Sequence, residues 1–563
     1  MQHLADFFPR FFIPCTVIAL SYLLLRGEGI DCYLFQIVSL AGALIFSLNT
    51  KRFFWFIVLP LYACISLYFP IGYNFGAVTK GYISALIATD LAETGDFISS
   101  IPFWHYSTPI FLIIGISLLK LYTDKRNINF ISPVSILIYG VILVFSSIVF
   151  ILSCVDTARV LQGASSKIMP FWKIFVFITI SGITLSFAIQ RKLVKSLPII
   201  FTLTALTCAY TAKDFHLLKK GIPYFFETIE ENRQMQTLVR KNDWVIQSSH
   251  PQFKNFLIVI GESVRRDYMH AYGYPVENTN FMNTTPGIIF EGFTSEGDGT
   301  IESLRRVLTF SRPSGNSVNY SLNLIGLAQK AGFSTAWFSN QGFATDCDTP
   351  ISAIALLSEH KRWLEQSFTS KKSDEELLPL LQTEVNRADP RPKLIILHLH
   401  GSHPSVCSSI SPSIYEHKMR DGYYREPFCY VESIRKTDQL LQSAYNILQS
   451  SKKSFSMLYF ADHGLSHNEI GGQLTLKHSN PSRPHRDIPL FCTSSTDTSK
   501  SYIRGKQFGD HFLEGAMNWL GITTKQIPNP KSLFTEEHDK DIHNYQKVWT
   551  SRRDDPPINT LVH

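Results

Sequence analysis

The distribution of hydrophobic positions divides the chain into an apolar and a polar half. Residues 1–211 contain long apolar runs, whereas residues 212–563 have the polar content of a soluble protein. A membrane-spanning helix needs about 20 mostly apolar residues. Seven segments approach that length, near 9–25, 31–48, 53–73, 107–122, 130–153, 171–189 and 197–211. The first, second and last are short or weakly apolar, so residues 1–211 are predicted to form a transmembrane domain of five to seven helices.

Basic residues alternate between the two sides of these segments. Pairs of basic residues follow the second, fourth and sixth segments, at Lys51–Arg52, Lys125–Arg126 and Arg191–Lys192. Short loops rich in Lys and Arg remain on the cytoplasmic side. An odd number of spans then places the N-terminus inside and the polar half outside.

The polar half alternates strand-like runs with helical patterns between residues 253 and 540. The strand-like runs are 256–260, 334–339, 393–399, 455–460 and 488–492. Short apolar strands separated by amphipathic helices predict an α/β domain with a largely parallel central sheet. Residues 212–252 form a charged connector, either interfacial helices at the membrane surface or an ordinary linker helix. The polar tail, residues 541–563, is expected to be loosely held.

Composition limits the partners and the redox environment. Among 563 residues, 18% are charged and the net charge is +7, which suits an anionic membrane surface. No nucleic-acid motif accompanies that charge, so nucleic-acid binding is not expected, and a monomer is the default. The polar half has cysteines at 347, 407, 429 and 492 without a C-x-x-C pattern. One or two disulfides are expected outside the cytoplasm, and three full pairings stay open.

Polar residues at the ends of three predicted strands are candidates for chemistry. Glu262 follows the first strand, His398 and His403 flank the end of the third, and Asp462–His463 follow the fourth. Sites in open α/β sheets lie beyond the carboxyl ends of the strands. A ligand set of oxygen and nitrogen without thiolate suits Zn²⁺ or Mn²⁺. Each residue alone has an ordinary structural explanation, but together they predict a metal site.

Thr300 is the candidate nucleophile. It follows two glycines, at 297 and 299, and precedes a helical pattern that begins at Ile301. A hydroxyl at a helix N-terminus beside a metal can ionise and attack phosphorus. The alternative is an N-cap, a common role of Thr, and this stretch alone favours the cap. His467, in the loop after the fourth strand, is expected to face solvent.

Several motif stretches carry a resemblance to a known family. They are LIVIGESVRRDYMHAYGYPVENT (257–279), GTIESLRRVLTF (299–310), LAQKAGFSTAWFSNQ (327–341), LHLHGSH (397–403), CYVESIRKTD (429–438) and YFADHG (459–464). With them the chain resembles the phosphoethanolamine transferases of Gram-negative inner membranes, in the sulfatase or alkaline-phosphatase-like superfamily. Within that family, TIESLRRVLTF resembles the members that modify the lipopolysaccharide core.

The resemblance implies a multi-pass inner-membrane protein whose periplasmic domain takes phosphoethanolamine from phosphatidylethanolamine. The implied zinc ligands are Glu262, Thr300, Asp462 and His463, with Thr300 as the nucleophile that carries the group covalently. The residues implied to bind substrate or a second zinc are His398, His403 and either His478 or His485, with His478 preferred, and Asn340 and Gln341 are implied to line the phosphate pocket. The implied acceptor is lipopolysaccharide, at a core sugar or lipid A, and an effect on polymyxin resistance is a further hypothesis.

The chain departs from the family pattern in places. Leu465 follows Asp-His-Gly where many relatives have Glu, and the loop to the late histidine differs. The stretch after Gly-Ser-His reads PSVCSSISPSIY instead of the usual tyrosine-rich sequence. Two alternatives stay open, a membrane-anchored phosphoglycerol transferase and a catalytically inactive scaffold. A sulfatase is not expected, because Ile301, Glu302 and Ser303 do not provide its C/S-x-P-x-R motif.

Overall fold

The computed structural model divides the chain into two compact units. One comprises Met1–Thr79 and Ile101–Tyr224, and the other Lys80–Ser100 and Phe225–His563. Each unit has a hydrophobic core of its own. The residues that the structure describes are 2–30, 32–88, 101–130, 217–311, 318–342, 349–364, 372–420, 424–470, 473–478, 481–539 and 550–558.

The first unit is helical. Its helices are Gln2–Gly27, Leu34–Ser47, Leu59–Ser66, Phe69–Phe75 and Phe103–Arg126, with π-helical turns at Phe54–Val58 and Leu217–Gly221. Among the described helices, Phe103–Arg126 is long and apolar enough to cross a membrane, and the pair Phe54–Ser66 and Phe69–Phe75, bent by 42°, would give a second span. Except for residue 130, the predicted segments 130–153, 171–189 and 197–211 lie outside the described residues. The count of five to seven spans therefore stays a prediction.

The second unit surrounds a mixed sheet. Its strands and those of three small sheets are β1 Ile246–Ser249, β2 Asn255–Gly261, β3 Gly287–Thr294, β4 Thr309–Ser311, β5 Val318–Asn323, β6 Ser334–Ser339, β7 His360–Trp363, β8 Lys393–His398, β9 Phe455–Ala461, β10 Ser466–Ile470, β11 Gln473–Lys477, β12 Leu490–Ser494, β13 Lys500–Phe508 and β14 Ile522–Thr524. The order in the main sheet is β13-β3-β12-β9-β2-β8-β6-β7. Every residue of β2, β6, β8 and β9 is buried, so helices and loops cover both faces of the centre.

The helices of the second unit surround this sheet. They are Lys80–Ala88, Ile222–Leu238 (from residue 225), Asn280–Thr284, Thr300–Val307, Leu324–Lys330, Pro350–Ala355, Leu378–Asn386, Pro412–Arg420, Arg425–Ser450 and Phe512–Leu520, with 3₁₀ turns at Arg266–Tyr268, His270–Tyr272, Asp374–Leu377, Val406–Ser409, Pro484–Arg486 and Gly509–His511. The long helix Arg425–Ser450 turns an apolar stripe towards the core, from Val431 to Leu448. Its remaining faces are polar, as expected of a helix that covers a sheet.

All five predicted strand runs lie in the main sheet. The neighbours β9, β2, β8, β6 and β7 are parallel, and β13 is parallel to β3. Strand β12 is antiparallel to both β9 and β3, so the sheet is mixed rather than parallel throughout. Parallel neighbours need a long crossover, usually a helix. Between β9 and β12 the structure describes a hairpin, β10-β11, and a 3₁₀ turn, but no α-helix.

The boundaries of the units differ from the predicted ones. The second unit includes the inter-span helix Lys80–Ala88 and the chain from Phe225 onward. Strand β1 pairs antiparallel with β14, and the Trp244 indole is buried and donates to the Asn323 carbonyl at 2.9 Å. The predicted connector over 212–252 therefore shares its residues from 225 onward with the second unit.

The C-terminal tail also belongs to the second unit. Residue Asp555 is only 4% exposed. The Ile558 amide donates to the Tyr268 hydroxyl at 3.0 Å, and the Ile558 carbonyl accepts from the Tyr274 hydroxyl at 2.7 Å. The expectation of a loosely held tail is wrong for residues 550–558, because polar side chains of the domain satisfy the backbone and carboxylate of that segment.

One disulfide is present in the described part of the second unit. It joins Cys407, in the loop after β8, to Cys429 in the helix Arg425–Ser450. Cys492 is a buried thiol in β12, and Cys347 lies outside the described residues. The expectation of one or two disulfides is thus confirmed for one pair, a feature typical of proteins outside the cytoplasm.

Candidate active site

Glu262 lies directly after β2 and is fully buried. Its Oε2 accepts hydrogen bonds from the Thr300 hydroxyl at 3.0 Å and from the Gln341 amide at 3.1 Å. Its Oε1 accepts from the hydroxyl of Ser263, whose backbone has a positive φ of 60°. Strained conformations of this kind in non-glycine residues are concentrated at functional sites.

Asp462 and His463 follow the neighbouring strand β9 and are fully buried. The Nε2 atom of His463 lies 3.3 Å from Asp462 Oδ2 and 3.5 Å from Glu262 Oε1. The Nδ1 atom of the same ring donates to the Gly464 carbonyl at 2.8 Å. In the neutral ring, the Nε2 lone pair therefore faces two carboxylates, an arrangement that a cation between them would stabilise.

Thr300 is the first residue of the helix Thr300–Val307, and Gly299 is its N-cap. The Thr300 hydroxyl makes no capping hydrogen bond, so the N-cap interpretation is wrong. Instead its Oγ1 lies 3.0 Å from Glu262 Oε2 and 3.3 Å from His463 Nε2. The partial positive charge of a helix N-terminus favours an ionised oxygen at this position.

His403 and His478 border the same group. Ligand atoms of Glu262, His403 and His478 all lie within 4.8 Å of one another. The Nδ1 atom of His403 donates to the Pro404 carbonyl at 3.2 Å, which leaves Nε2 as the lone-pair nitrogen. The His478 ring centroid lies 4.8 Å from that of His463. These two histidines thus extend the site beyond the first three ligand candidates.

His485 and His398 are buried beside the site. His485 has partners at both nitrogens, since Nδ1 lies 2.9 Å from the Ser466 hydroxyl and Nε2 donates to the Asp298 carbonyl at 3.1 Å. His478 Nδ1 has no hydrogen-bond partner among the described residues. His478 and His485 both belong to a group of possible metal ligands with His463, so the preference for His478 stays a prediction. The His398 ring packs edge-on against a tryptophan, Trp337, at 5.9 Å.

The residues present fit a divalent cation. Within the described chain, Asp462 Oδ2, His398 Nε2 and His478 Nδ1 are buried without hydrogen-bond partners, and leaving such a group unsatisfied costs about 1–3 kcal/mol. Glu262, Asp462 and His463 offer ligand atoms within 4.8 Å of one another. Carboxylate oxygens and imidazole nitrogens at this spacing are a donor set typical of zinc.

Burial and mutual charge shift the pKa values of these groups. Burial, followed by the charge of Glu262, raises the pKa of Asp462 to about 7. Burial alone would lower the pKa of His463, but the Asp462 and Glu262 carboxylates raise it. Burial lowers the pKa of His398 to about 4 and that of His485 to about 3. Burial and the neighbouring carboxylate thus disfavour a second negative charge at this position, and a bound cation would offset that effect.

The two predicted phosphate-pocket residues point in different directions. Gln341 donates to Glu262 Oε2 and so borders the site. Asn340 donates to Asp374 Oδ1 at 2.8 Å, and the same carboxylate accepts from both backbone amides of the turn His400–Gly401 at 2.8 Å. The described contacts of the Asn340 amide thus support the turn His400–Gly401, which leads to His403.

The backbone at Gly401 explains the glycine of the Gly-Ser-His motif. Its φ is +50°, and a Cβ atom there would lie 3.1 Å from the Glu262 carbonyl oxygen and 3.2 Å from Glu262 Cβ. A side chain would be strained in this backbone conformation and would press on the candidate ligand. The Gly-Ser-His motif therefore lets the loop approach the end of β2 closely.

Comparisons with known proteins agree with this geometry. The family model described as Sulfatase matches residues 254–522. A putative phosphoethanolamine transferase of Haemophilus influenzae is 32% identical over 426 residues, which are 74% of this chain and 75% of that relative. This chain belongs to the phosphoethanolamine transferase family. The enzyme is also 34% identical to the phosphoethanolamine transferase OpgE of Escherichia coli, over 57% of this chain and 61% of that relative.

A solved structure shows a similarity of fold that covers most of this chain. The integral membrane protein lipooligosaccharide phosphoethanolamine transferase A (EptA) from Neisseria meningitidis matches with a TM-score of 0.55. The match covers 89% of this chain and 95% of that chain at 13% sequence identity. At that identity it shows a shared fold and no more.

Several charged residues around the transferase site were missed by the sequence analysis. Asp298 pairs with Arg486 and Arg552, and Asp555 pairs with Arg265. Arg486 follows the candidate His485 and Arg265 lies in the first motif, so their positions could have indicated that they belong near the site. Nothing in the sequence indicated this for Arg552 and Asp555, which lie in the tail.

His467 was assigned wrongly. It is 8% exposed rather than facing solvent. Its Nδ1 lies 2.9 Å from Asp555 Oδ1 and its Nε2 lies 2.5 Å from the Tyr268 hydroxyl. The cause is the tail, which covers this part of the loop after β9.

Proposed function

We propose that this protein transfers phosphoethanolamine from phosphatidylethanolamine to lipopolysaccharide through a covalent intermediate on Thr300. The observation that carries the proposal is the Thr300 hydroxyl, 3.0 Å from Glu262 Oε2 and 3.3 Å from His463 Nε2 in a buried polar site. A positioned hydroxyl with adjacent basic groups is the usual arrangement for nucleophilic catalysis. The identity of the transferred group, phosphoethanolamine, is inferred from the family to which the chain belongs.

Zinc is the proposed cofactor, with Mn²⁺ as the alternative. Glu262, Thr300, Asp462 and His463 would hold one ion. His398, His403 and His478 would contact the phosphate or a second ion. A bound divalent ion would stabilise the ionised threonine oxygen and offset the charge of the phosphate.

The reaction has two displacement steps at phosphorus. First, Thr300 Oγ1 forms a bond to the donor phosphorus, the bond from phosphorus to the glycerol oxygen breaks, and diacylglycerol leaves with the threonine proton. Second, an acceptor hydroxyl oxygen forms a bond to the same phosphorus, the bond from phosphorus to Thr300 Oγ1 breaks, and the proton of that hydroxyl passes to Thr300. The hydrogen bond to Glu262 Oε2 orients the oxygen before the first step, and Gln341 holds that carboxylate. Such positioning contributes much of the rate of phosphoryl transfer.

The proposed location is the inner membrane, with several spans and a periplasmic catalytic domain. Three features support it: the alternation of basic loops, the disulfide between Cys407 and Cys429, and the fold shared with an integral membrane transferase. A lipid donor needs a catalytic domain held at the membrane. The periplasm is an oxidising compartment in which disulfides persist.

The acceptor is proposed from the resemblance of TIESLRRVLTF (300–310) to the members that modify the lipopolysaccharide core. A core sugar is therefore the preferred acceptor, before lipid A. Adding a cationic group would reduce the negative charge of the cell surface, and cells with the protein should be less susceptible to polymyxin. Equal susceptibility with and without the protein would contradict this part of the proposal, and mass spectrometry of the lipopolysaccharide would distinguish core from lipid A.

Peptide mass spectrometry tests the first step. The purified protein is incubated with zinc and vesicles containing both phosphatidylethanolamine and phosphatidylglycerol, beside Thr300→Ala and the conservative Thr300→Ser. We expect a phosphoethanolamine adduct on Thr300, a weaker adduct on the serine variant and none on the alanine variant. An adduct of glycerophosphate would indicate the phosphoglycerol alternative, and the absence of any adduct in a folded, zinc-loaded protein would contradict the proposal.

A further inference from the structure

The described part of the tail, residues 550–558, contacts several loops that carry candidate catalytic residues. Asp555 and Arg552 make most of these contacts, from positions more than 60 residues beyond the last candidate histidine, His485. Neither residue lies beside the reacting groups. Their partners, however, are close in sequence to Glu262, Thr300 and the late histidines.

Asp555 joins three loops. Its Oδ2 accepts from Arg265 Nη1 at 3.0 Å, from the His467 amide at 3.0 Å and from the Ser482 hydroxyl at 2.8 Å. Arg265 is three residues after Glu262, and His467 is four residues after His463. The carboxylate and the guanidinium are both buried. Because a buried carboxylate with these partners is costly to displace, it fixes the loops that follow β2 and β9 relative to each other.

Arg552 holds the loop of the nucleophile. Its two terminal nitrogens donate to Asp298 Oδ1 and Oδ2, both at 2.8 Å. Arg486 donates to the same two oxygens at 2.7 and 3.1 Å. Bidentate pairs of this kind fix orientation as well as distance. Asp298 is two residues before Thr300, and its carbonyl accepts from His485, so this cluster determines where the catalytic helix begins.

We propose that residues 550–558 form a C-terminal clasp that positions Thr300 against Glu262 and His463. Arg552 and Asp555 are then positioning residues, since they act through Asp298 and Arg265 and touch no reacting atom. The inference rests on the proposed role of Thr300. A displacement of about 1 Å of a reacting group can lower the rate about 100-fold, so loss of the clasp should lower kcat far more than it changes the KM for the donor.

The test compares Arg552→Gln with Arg504→Gln in the full-length protein in phosphatidylethanolamine vesicles. Arg504 is a matched control because its side chain is 82% exposed and it pairs with Glu291 on the surface. We expect kcat to fall at least 10-fold in Arg552→Gln, with KM changed less than 3-fold, and Arg504→Gln to match the wild type. The variants Asp298→Asn and Arg552→Gln with Asp298→Asn complete a double-mutant cycle. The kcat of the double variant should be no lower than that of the less active single variant.

Hydrogen exchange gives a readout that does not depend on the reaction. In Arg552→Gln, amides of residues 298–307 should exchange at least 5-fold faster, while those of β2 and β9 keep their protection. If Arg552→Gln had the same kinetics as the wild type and the same exchange rates over residues 298–307, the clasp proposal would be overturned. An unfolded Arg552→Gln would also count against it if Arg552→Lys, which keeps the charge but not the bidentate geometry, were fully active. An inactive wild type would contradict the proposed function alone, because the exchange comparison would still test the clasp.

Discussion

At the scale of single residues, the surroundings of each histidine distinguish candidate ligands that the sequence motifs did not distinguish. Within the described parts of the chain His478 Nδ1 has no hydrogen-bond partner, while His485 has partners at both nitrogens. The Nδ1 atom of His403 donates to the Pro404 carbonyl at 3.2 Å. His478 and His403 form one group of possible metal ligands with Glu262, whereas His485, which forms another with His463 and His478, also donates to the Asp298 carbonyl.

This difference predicts distinct effects for two substitutions. His478→Ala should lower kcat/KM for phosphatidylethanolamine about 100-fold, because removing one group that stabilises transferring charge has effects of that size, and should leave thermal stability nearly unchanged. His485→Ala should lower the unfolding temperature, because it leaves the Asp298 carbonyl and the Ser466 hydroxyl without this partner. Steady-state kinetics and thermal unfolding measure the two effects. If His485→Ala were fully stable and inactive, the assignment would be reversed.

At the scale of elements, the catalytic helix Thr300–Val307 is held at both ends within the second unit. The cluster around Asp298 holds its start. Near its end, Arg305 pairs with Glu231 at 2.9 Å, and Glu231 also pairs with Lys80 at 2.6 Å. Lys80 begins the inter-span helix Lys80–Ala88. A segment between two predicted spans therefore reaches the helix that begins with the proposed nucleophile, Thr300.

Glu231→Gln tests this link. Its carboxylate is partly exposed, so the loss in unfolding free energy should be small, about 1 kcal/mol or less. Activity should fall several-fold, since the helix end is released. Glu227→Gln is the matched control, because Glu227 is more exposed and pairs only with Lys80 among the contacts described, at 3.4 Å. Differential scanning calorimetry and kinetics report the two quantities, and equal activity of both variants would contradict the link.

The disulfide is a second element-scale constraint. Cys407 and Cys429 are separated by 22 residues, and closing a loop of that length removes unfolded-state entropy equivalent to about 3 kcal/mol. The double variant Cys407→Ser, Cys429→Ser should lose stability of that order in urea unfolding. Dithiothreitol should destabilise the wild type similarly and leave the double variant unaffected. An insensitive wild type would show that the bond does not contribute.

At the scale of the whole molecule, the tail makes the stability of the second unit dependent on pH. Burial alone would raise the pKa of Asp555, but the hydrogen bond and charge of His467, together with Arg265, lower it well below the ordinary value. Arg553 faces the same carboxylate at 3.2 Å. A carboxyl whose pKa is depressed by folding stabilises the protein above its unfolded pKa, near 3.9, and loses that contribution as pH falls below it.

Asp555→Asn should therefore be destabilised at pH 7 by about 1.5–3 kcal/mol, the usual range for hydrogen bonds to a charged group. The difference from the wild type should persist down to about pH 5 and shrink steadily below pH 4, as the wild-type carboxyl takes up its proton. Urea unfolding at a series of pH values measures it. Asp554→Asn, one residue away and exposed, is the control. A difference that is independent of pH would mean that the carboxylate charge does not matter.

The sequence alone determined the local features of this protein. Runs of apolar residues predicted five of the eight strands of the main sheet, because a strand buried on both faces must be apolar along its length. Polar motifs after those strands predicted Glu262, Asp462 and His463, which lie together in the structure. The apolar half predicted helices at 9–25, 31–48, 53–73 and 107–122, where the structure has helices.

Only the tertiary structure decided the long-range contacts. The antiparallel β12, the buried His467 and the pairing of Asp298 with Arg552 depend on segments far apart in the chain. A charged tail reads as solvated in sequence, because composition does not reveal a buried partner. Asp555 and Arg265, 290 residues apart, meet because folding brings two opposite charges into one water-excluded place, where each stabilises the other.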